Sequence, residues 1–85
     1  MVTQEIILKS SRGIYSRTAT LLVKKATQFK SQISIQAYGN IVNAKSIIEV
    51  LSLGAKNGAT VKIIASGLDE VLALEETIKV INGIM

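Results

Sequence analysis

One stretch of the chain alternates apolar and polar positions, Ile33, Ile35 and Ala37 being separated by Ser34 and Gln36, while residues 60–65, Thr-Val-Lys-Ile-Ile-Ala, also read as a strong strand. A period of two is that of a strand with one buried face. Glu5-Ile6-Ile7-Leu8 is a shorter apolar run that also reads as a strand, and Ser10-Ser11-Arg12-Gly13 breaks it. Tyr38-Gly39-Asn40 marks a tight turn, which makes Ile41-Val42-Asn43 the returning strand of a hairpin.

The remaining segments carry helical spacing. From Ser16, a candidate N-cap, Ala19, Leu22, Val23, Ala26 and Phe29 recur on one face, with Lys24, Lys25 and Lys30 on the others. A second helix is expected from about Ser46 to about Lys56, stopped by Asn57-Gly58. After the break at Gly67, Asp69 can cap a last helix whose core stripe is Val71, Leu74, Ile78, Ile81 and Met85. The order is β-α-β-β-α-β-α. It predicts an α+β fold whose helices cover one face of a sheet and leave the other to solvent.

Composition narrows the chemistry. The 85 residues suit one small domain, and 48% of them are apolar, enough for an aliphatic core. With no Cys and no His, disulfides, zinc fingers, thiol nucleophiles and imidazole bases are all excluded. No metal or other cofactor is expected. The absent cysteines fit a reducing cytoplasm. Residues 1–9 include Glu5 and lack a long apolar run, so a secretory leader is not expected, nor is a membrane span. The net charge of +4 is uneven: residues 1–65 carry +7 and residues 66–85 carry −3. A basic body suits an acidic protein surface. Direct nucleic-acid binding is disfavoured, because no aromatic residues interleave the basic ones and no Arg-rich run occurs.

Two motifs and the chain end resemble the HPr phosphocarrier family of the bacterial sugar phosphotransferase system. Gly13-Ile14-Tyr15-Ser16-Arg17-Thr18-Ala19-Thr20 stands where the family reads Gly-Ile/Leu-His-Ala-Arg-Pro-Ala. Val42-Asn43-Ala44-Lys45-Ser46-Ile47-Ile48-Glu49-Val50-Leu51-Ser52-Leu53 is close to the family's Val-Asn-Ala-Lys-Ser-Ile-Met-Gly-Val-Met-Ser-Leu. The final strand and helix, with Ala73-Leu74, complete a resemblance that covers the chain as one HPr-like domain, residues 1–85. It implies an open-faced β-sandwich, four antiparallel strands under three helices.

The first motif departs from the family at its chemistry. The phosphorylated histidine falls on Tyr15, the small residue after it on Ser16 and the proline on Thr18, while Arg17 is kept. A phosphorylated phenol is a stable ester and a poor donor. The phenol, with a pKa near ~10, is a weak nucleophile without an activating base. Tyr15 therefore reads as an aromatic that fills the acceptor's place and contacts a partner. The N–H groups at the start of the first helix, with Arg17, Ser16 and Thr18, form a candidate anion corner. A solvated cap with an exposed arginine is the alternative.

The second motif carries Ser46. In Gram-positive relatives a serine there is phosphorylated by HPr kinase/phosphorylase, and the product binds a transcriptional regulator. The histidine-less catabolite repression HPr branch keeps only that role. Ser46-Ile47-Ile48-Glu49 is also a capping box, in which Ser46 accepts from the amide of Glu49 and Glu49 reaches back to the amide of Ser46. Glu49 replaces a glycine and would repel a phosphate on Ser46. Ile47, Ile48, Val50, Leu51 and Leu53 are too many apolar residues for one core stripe. The resemblance implies that Ile48, Leu51 and part of Ile47 lie outside, ringed by Arg17, Lys24 and Lys45. That is a surface for an acidic-rimmed partner, or a homodimer contact.

The expected partner and anion residues are Tyr15, Ser16, Arg17, Thr20, Lys24, Lys45, Ile47, Ile48 and Leu51, with Ser46 as regulatory site. The leading function is a cytoplasmic regulatory binding module of the phosphotransferase system, with no enzyme activity. The alternatives are a non-phosphorylatable decoy that occupies phosphotransferase components, or a phosphocarrier whose acceptor was replaced by Tyr15.

Overall fold

The structure, a computed structural model, describes residues 1–9 and 13–84. Its elements are β1 (Val2–Ile7), α1 (Ser16–Ala26), β2 (Gln32–Ala37), β3 (Asn40–Asn43), α2 (Ile47–Ser52), β4 (Thr60–Ser66) and α3 (Glu70–Ile84). The strands form one antiparallel sheet in the order β1-β4-β2-β3. The two strands with the clearest alternation are the central pair. Ile35 of β2 stands opposite Ile63 of β4, and both are fully buried. Lys62 and Ile64 alternate with the buried Val61, Ile63 and Ala65, so one sheet face is packed and the other is open.

The β2–β3 hairpin turns through Tyr38 and Gly39, both with positive φ (53° and 80°), between the paired Ala37 and Asn40. Two such residues make the type I′ turn that matches strand twist. α1 lies between the other helices and touches both. Ala19, Leu22 and Ala26 are buried beneath it, while Val23 and Phe29 are partly buried against the same core.

Three expectations about the helices need correction. α2 ends at Ser52, well before Lys56. Its last turn tightens, with the amide of Gly54 donating to the carbonyl of Leu51 at 3.2 Å, and Gly54 turns left-handed at φ 60°. Asn57-Gly58 belongs to the loop before β4. Val71 does not face the core: it is 58% exposed, and the buried stripe of α3 runs Ala73, Leu74, Thr77, Ile78 and Ile81. Met85 lies outside the described residues. Asp69 precedes α3 but spends its carboxylate elsewhere. It accepts from the Ser31 hydroxyl and from the amides of Ser31 (2.9 Å) and Lys30 (3.0 Å), tying the β4–α3 turn to the α1–β2 turn. Those hydrogen bonds, the Ser31 hydroxyl first, hold the Asp69 carboxyl down at about 2.

Candidate functional site

The loop that carries the first motif is placed by a close approach. Gly13 sits at φ 67° with its Cα against the Ala55–Lys56 backbone, and the amide of Ile14 donates to the carbonyl of Ala55 at 2.9 Å. This joins the start of α1 to the segment after α2. Tyr15, half-buried, is the N-cap of α1, in extended conformation and without a side-chain cap bond. Ser16, expected at the cap, is instead the first helical residue. Its carbonyl accepts from the Thr20 hydroxyl at 2.8 Å. The first bond of the helix runs from the amide of Ala19 to the carbonyl of Tyr15 at 2.8 Å. The amides of Ser16, Arg17 and Thr18 thus precede the helical ladder. Arg17 is exposed, whereas Thr18 is buried with its hydroxyl unpartnered.

Ser46 caps α2. Its Oγ accepts from the amide of Glu49 at 3.4 Å. The reciprocal half of the expected box does not form: Glu49 Oε1 accepts from the amide of Asn43 at 3.2 Å, and the amide of Ser46 donates to the carbonyl of Asn43 at 3.1 Å. The Asn43 side chain closes the same turn by accepting from the amide of Lys45 at 2.9 Å. Glu49 therefore braces the end of β3 and keeps its carboxylate one turn from the Ser46 hydroxyl.

Beyond the cap, Val50 and Leu53 are buried while Ile48 is 78% exposed and Leu51 and Ile47 are partly open. Leu21 of α1 is exposed as well, one apolar position more than the α1 stripe needs. Arg17 and Lys24 are exposed and make no ion pair among the described residues. Lys45 is less of a rim residue than expected. Its Nζ donates to the carbonyl of Phe29 at 2.7 Å, pinning α2 to the end of α1. Among the described residues no cluster of His, Cys, Asp and Glu could hold a metal ion, and no helix is long and apolar enough to cross a membrane.

An open antiparallel sheet under three helices, with a loop-to-helix start at Tyr15 beside a capped second helix, is the arrangement of a phosphocarrier domain. The family model for the HPr component of the phosphotransferase system and its phosphorylation site matches residues 2–83, and the chain belongs to the HPr family. It is 40% identical over 82 residues to the HPr-like protein Crh of Halalkalibacterium halodurans, covering 96% of this chain and 98% of that one. The crystal structure of HPr-C-His from Thermoanaerobacter tengcongensis superposes with a TM-score of 0.92 at 37% identity, covering 98% and 93% of the two chains. The crystal structure of Bacillus subtilis Crh, described as a domain-swapped, intertwined dimer, gives 0.78 at 36% identity, covering 98% and 95%. The HPr-type fold and the four-strand, three-helix order expected from the sequence are borne out.

Proposed function

We propose that this protein is a cytoplasmic regulatory binding module of the HPr family, with Ser46 as its phosphorylation switch and no carrier activity. The observation that carries the reading is the pairing of a chain without histidine with an intact Ser46 cap beside the exposed Ile47, Ile48 and Leu51 face. A kinase would transfer the γ-phosphoryl of ATP to Ser46 Oγ, the hydroxyl losing its proton and ADP leaving. The phosphate would stand at the start of α2, next to the apolar face that Arg17 and Lys24 border. A transcriptional regulator with an acidic rim fits such a face. Tyr15, Ser16 and Thr20 extend it along the start of α1. The similarity to Crh, a catabolite repression relative, supports the regulatory branch.

The test is the mass of the protein after incubation with HPr kinase and ATP. A gain of one phosphate, lost in Ser46→Ala, is the expected result; no gain in the wild type refutes the switch. One observation favours a second reading, an unmodified decoy for phosphotransferase components. Glu49 holds a carboxylate one turn from Ser46, and like charges at that spacing oppose each other. Glu49→Gly then separates the two: a faster gain of phosphate supports a switch damped by Glu49, and no gain in either form supports the decoy.

A further inference from the structure

Among the described residues, Tyr38 alone of the non-glycines has a left-handed backbone, with φ at 53°. It is the first central residue of the β2–β3 turn, and Gly39 is the second. A type I′ turn takes Asn or Gly at that position readily, whereas a bulky side chain is strained there. The ring gains little burial in return, since Tyr38 is 61% exposed. What it does make is a bond out of the hairpin: its hydroxyl oxygen accepts from the amide of Lys56 at 3.2 Å. A strained residue held in place by its surroundings points to a use for it there.

The amide of Lys56 and the carbonyl of Ala55 belong to one peptide group. Its carbonyl end accepts from the amide of Ile14 at 2.9 Å, and its N–H end donates to Tyr38. Gly13 lies against the same group, so closely that a Cβ there would meet the Ala55 oxygen and Lys56 Cα. The tilt of this peptide therefore sets where the loop before α1 can rest. The bonds from the amide of Ala59 to the carbonyl of Lys56 (3.0 Å) and from the amide of Gly58 to the carbonyl of Leu8 (2.7 Å) engage the two peptide groups that follow. We infer that Tyr38 is a positioning residue: its hydroxyl holds the 55–56 peptide in the tilt that seats Gly13 and Ile14, and so orients Tyr15 at the start of α1. The two bonds run in series through one amide, so each polarises and strengthens the other. Without the hydroxyl, the N–H end turns to water, the peptide plane can rock, and the bond from Ile14 weakens. The bearing on partner binding rests on the proposed function, in which Tyr15 extends the binding face; the seating of the loop does not.

Amide hydrogen exchange, followed residue by residue with no partner present, tests it. Tyr38→Phe keeps the ring and removes the acceptor. Tyr38→Asn removes both and relieves the turn, so that strain and seating change in opposite directions. In both variants the Ile14 amide should exchange about twofold to tenfold faster, the share of a hydrogen bond that coupling to its neighbour supplies. The amides of Ile35 and Ile63 in the central strands should keep their wild-type rates, and the Tyr15 ring resonances should shift. An Ile14 rate unchanged in both variants would overturn the inference. So would a rise matched at Ile35 and Ile63, which marks a general loss of stability and no specific seating. Phosphorylation of Ser46 by HPr kinase, measured on the wild type, decides the proposed function and leaves the exchange result untouched.

Discussion

Gly13→Ala tests how the site loop is held. The substitution adds a single methyl group at a position that is not itself part of the proposed binding face. Its Cβ would run into the Ala55 carbonyl oxygen and lie 2.6 Å from Lys56 Cα, both backbone atoms that cannot rotate away. The left-handed φ of 67° adds strain that alanine feels and glycine does not. That strain is worth about 1 kcal/mol or slightly more. Relieving the overlap requires the loop to move off the 55–56 segment, which loses the bond from Ile14 to Ala55, worth about 1 kcal/mol net. Together the loss is about 2–4 kcal/mol, a large share of the roughly 4–13 kcal/mol available to a domain of this size. Gly39→Ala is the control. Its φ is 80°, but nothing lies within 4 Å of the added Cβ, so it should lose only the strain, about 1 kcal/mol. Urea unfolding of the three proteins measures this, and the midpoint temperature should fall by at least about 8 °C for Gly13→Ala. Regulator affinity should fall with it, since Tyr15 and Arg17 follow directly on the displaced loop. Equal losses for Gly13→Ala and Gly39→Ala would refute the close approach as the element that fixes the site.

The Asp69 latch makes stability depend on acid pH. Its carboxyl titrates at about 2 in the folded protein against 3.8 in the unfolded chain, so the folded state binds fewer protons between those values; the latch contributes fully above about pH 4 and is lost as pH falls toward 2. The stability gap between wild type and Asp69→Asn, followed by urea titration, should therefore close over that window, and a gap unchanged down to pH 2 would contradict it. Ile48→Asp should alter unfolding by less than about 0.5 kcal/mol, because the side chain is largely exposed, yet weaken regulator binding at least tenfold in calorimetry. Leu22→Ala, fully buried, should cost about 2–5 kcal/mol in the same unfolding assay. Thr77→Val should raise stability by roughly 1 kcal/mol, since it replaces a buried hydroxyl that has no partner with a methyl of the same shape.

What could be read from the chain followed from periods that only one burial pattern satisfies. Ile33, Ile35, Val61 and Ile63 alternate strictly with polar or half-buried neighbours, and they form the core face of the two central strands. The excess of apolar residues after Ser46 implied that one stripe could not bury them all, and the family resemblance placed Ile48 outside, where it is exposed. Where the reading failed, two signals competed and local spacing could not rank them. Gly54 and Asn57-Gly58 both stop helices, and the tightened turn at Leu53 decided for the first. A stripe through Val71 fits helical spacing as well as one through Ala73 and Thr77, but the second is built partly from a small and a polar residue and so is nearly silent in a hydrophobicity pattern. Asp69, Lys45 and Glu49 failed for a common reason. Each carries a charged group whose local role, as cap, rim or box partner, is plain from neighbours in sequence. Each is instead used on backbone it reaches through the fold: Asp69 on residues 30 and 31, Lys45 on Phe29, Glu49 on Asn43. These bonds join turns and helix ends of the domain. A phosphate placed on Ser46 would thus enter a site whose nearest charges, Lys45 and Glu49, are already committed to holding the backbone. Its effect on partners should then come from its own charge and the exposed apolar face rather than from a rearrangement of the fold. Amide chemical-shift changes on phosphorylation should accordingly stay within α2 and the adjoining residues of α1, and shifts spreading to the Asp69 turn would show that Lys45 had been drawn away from Phe29.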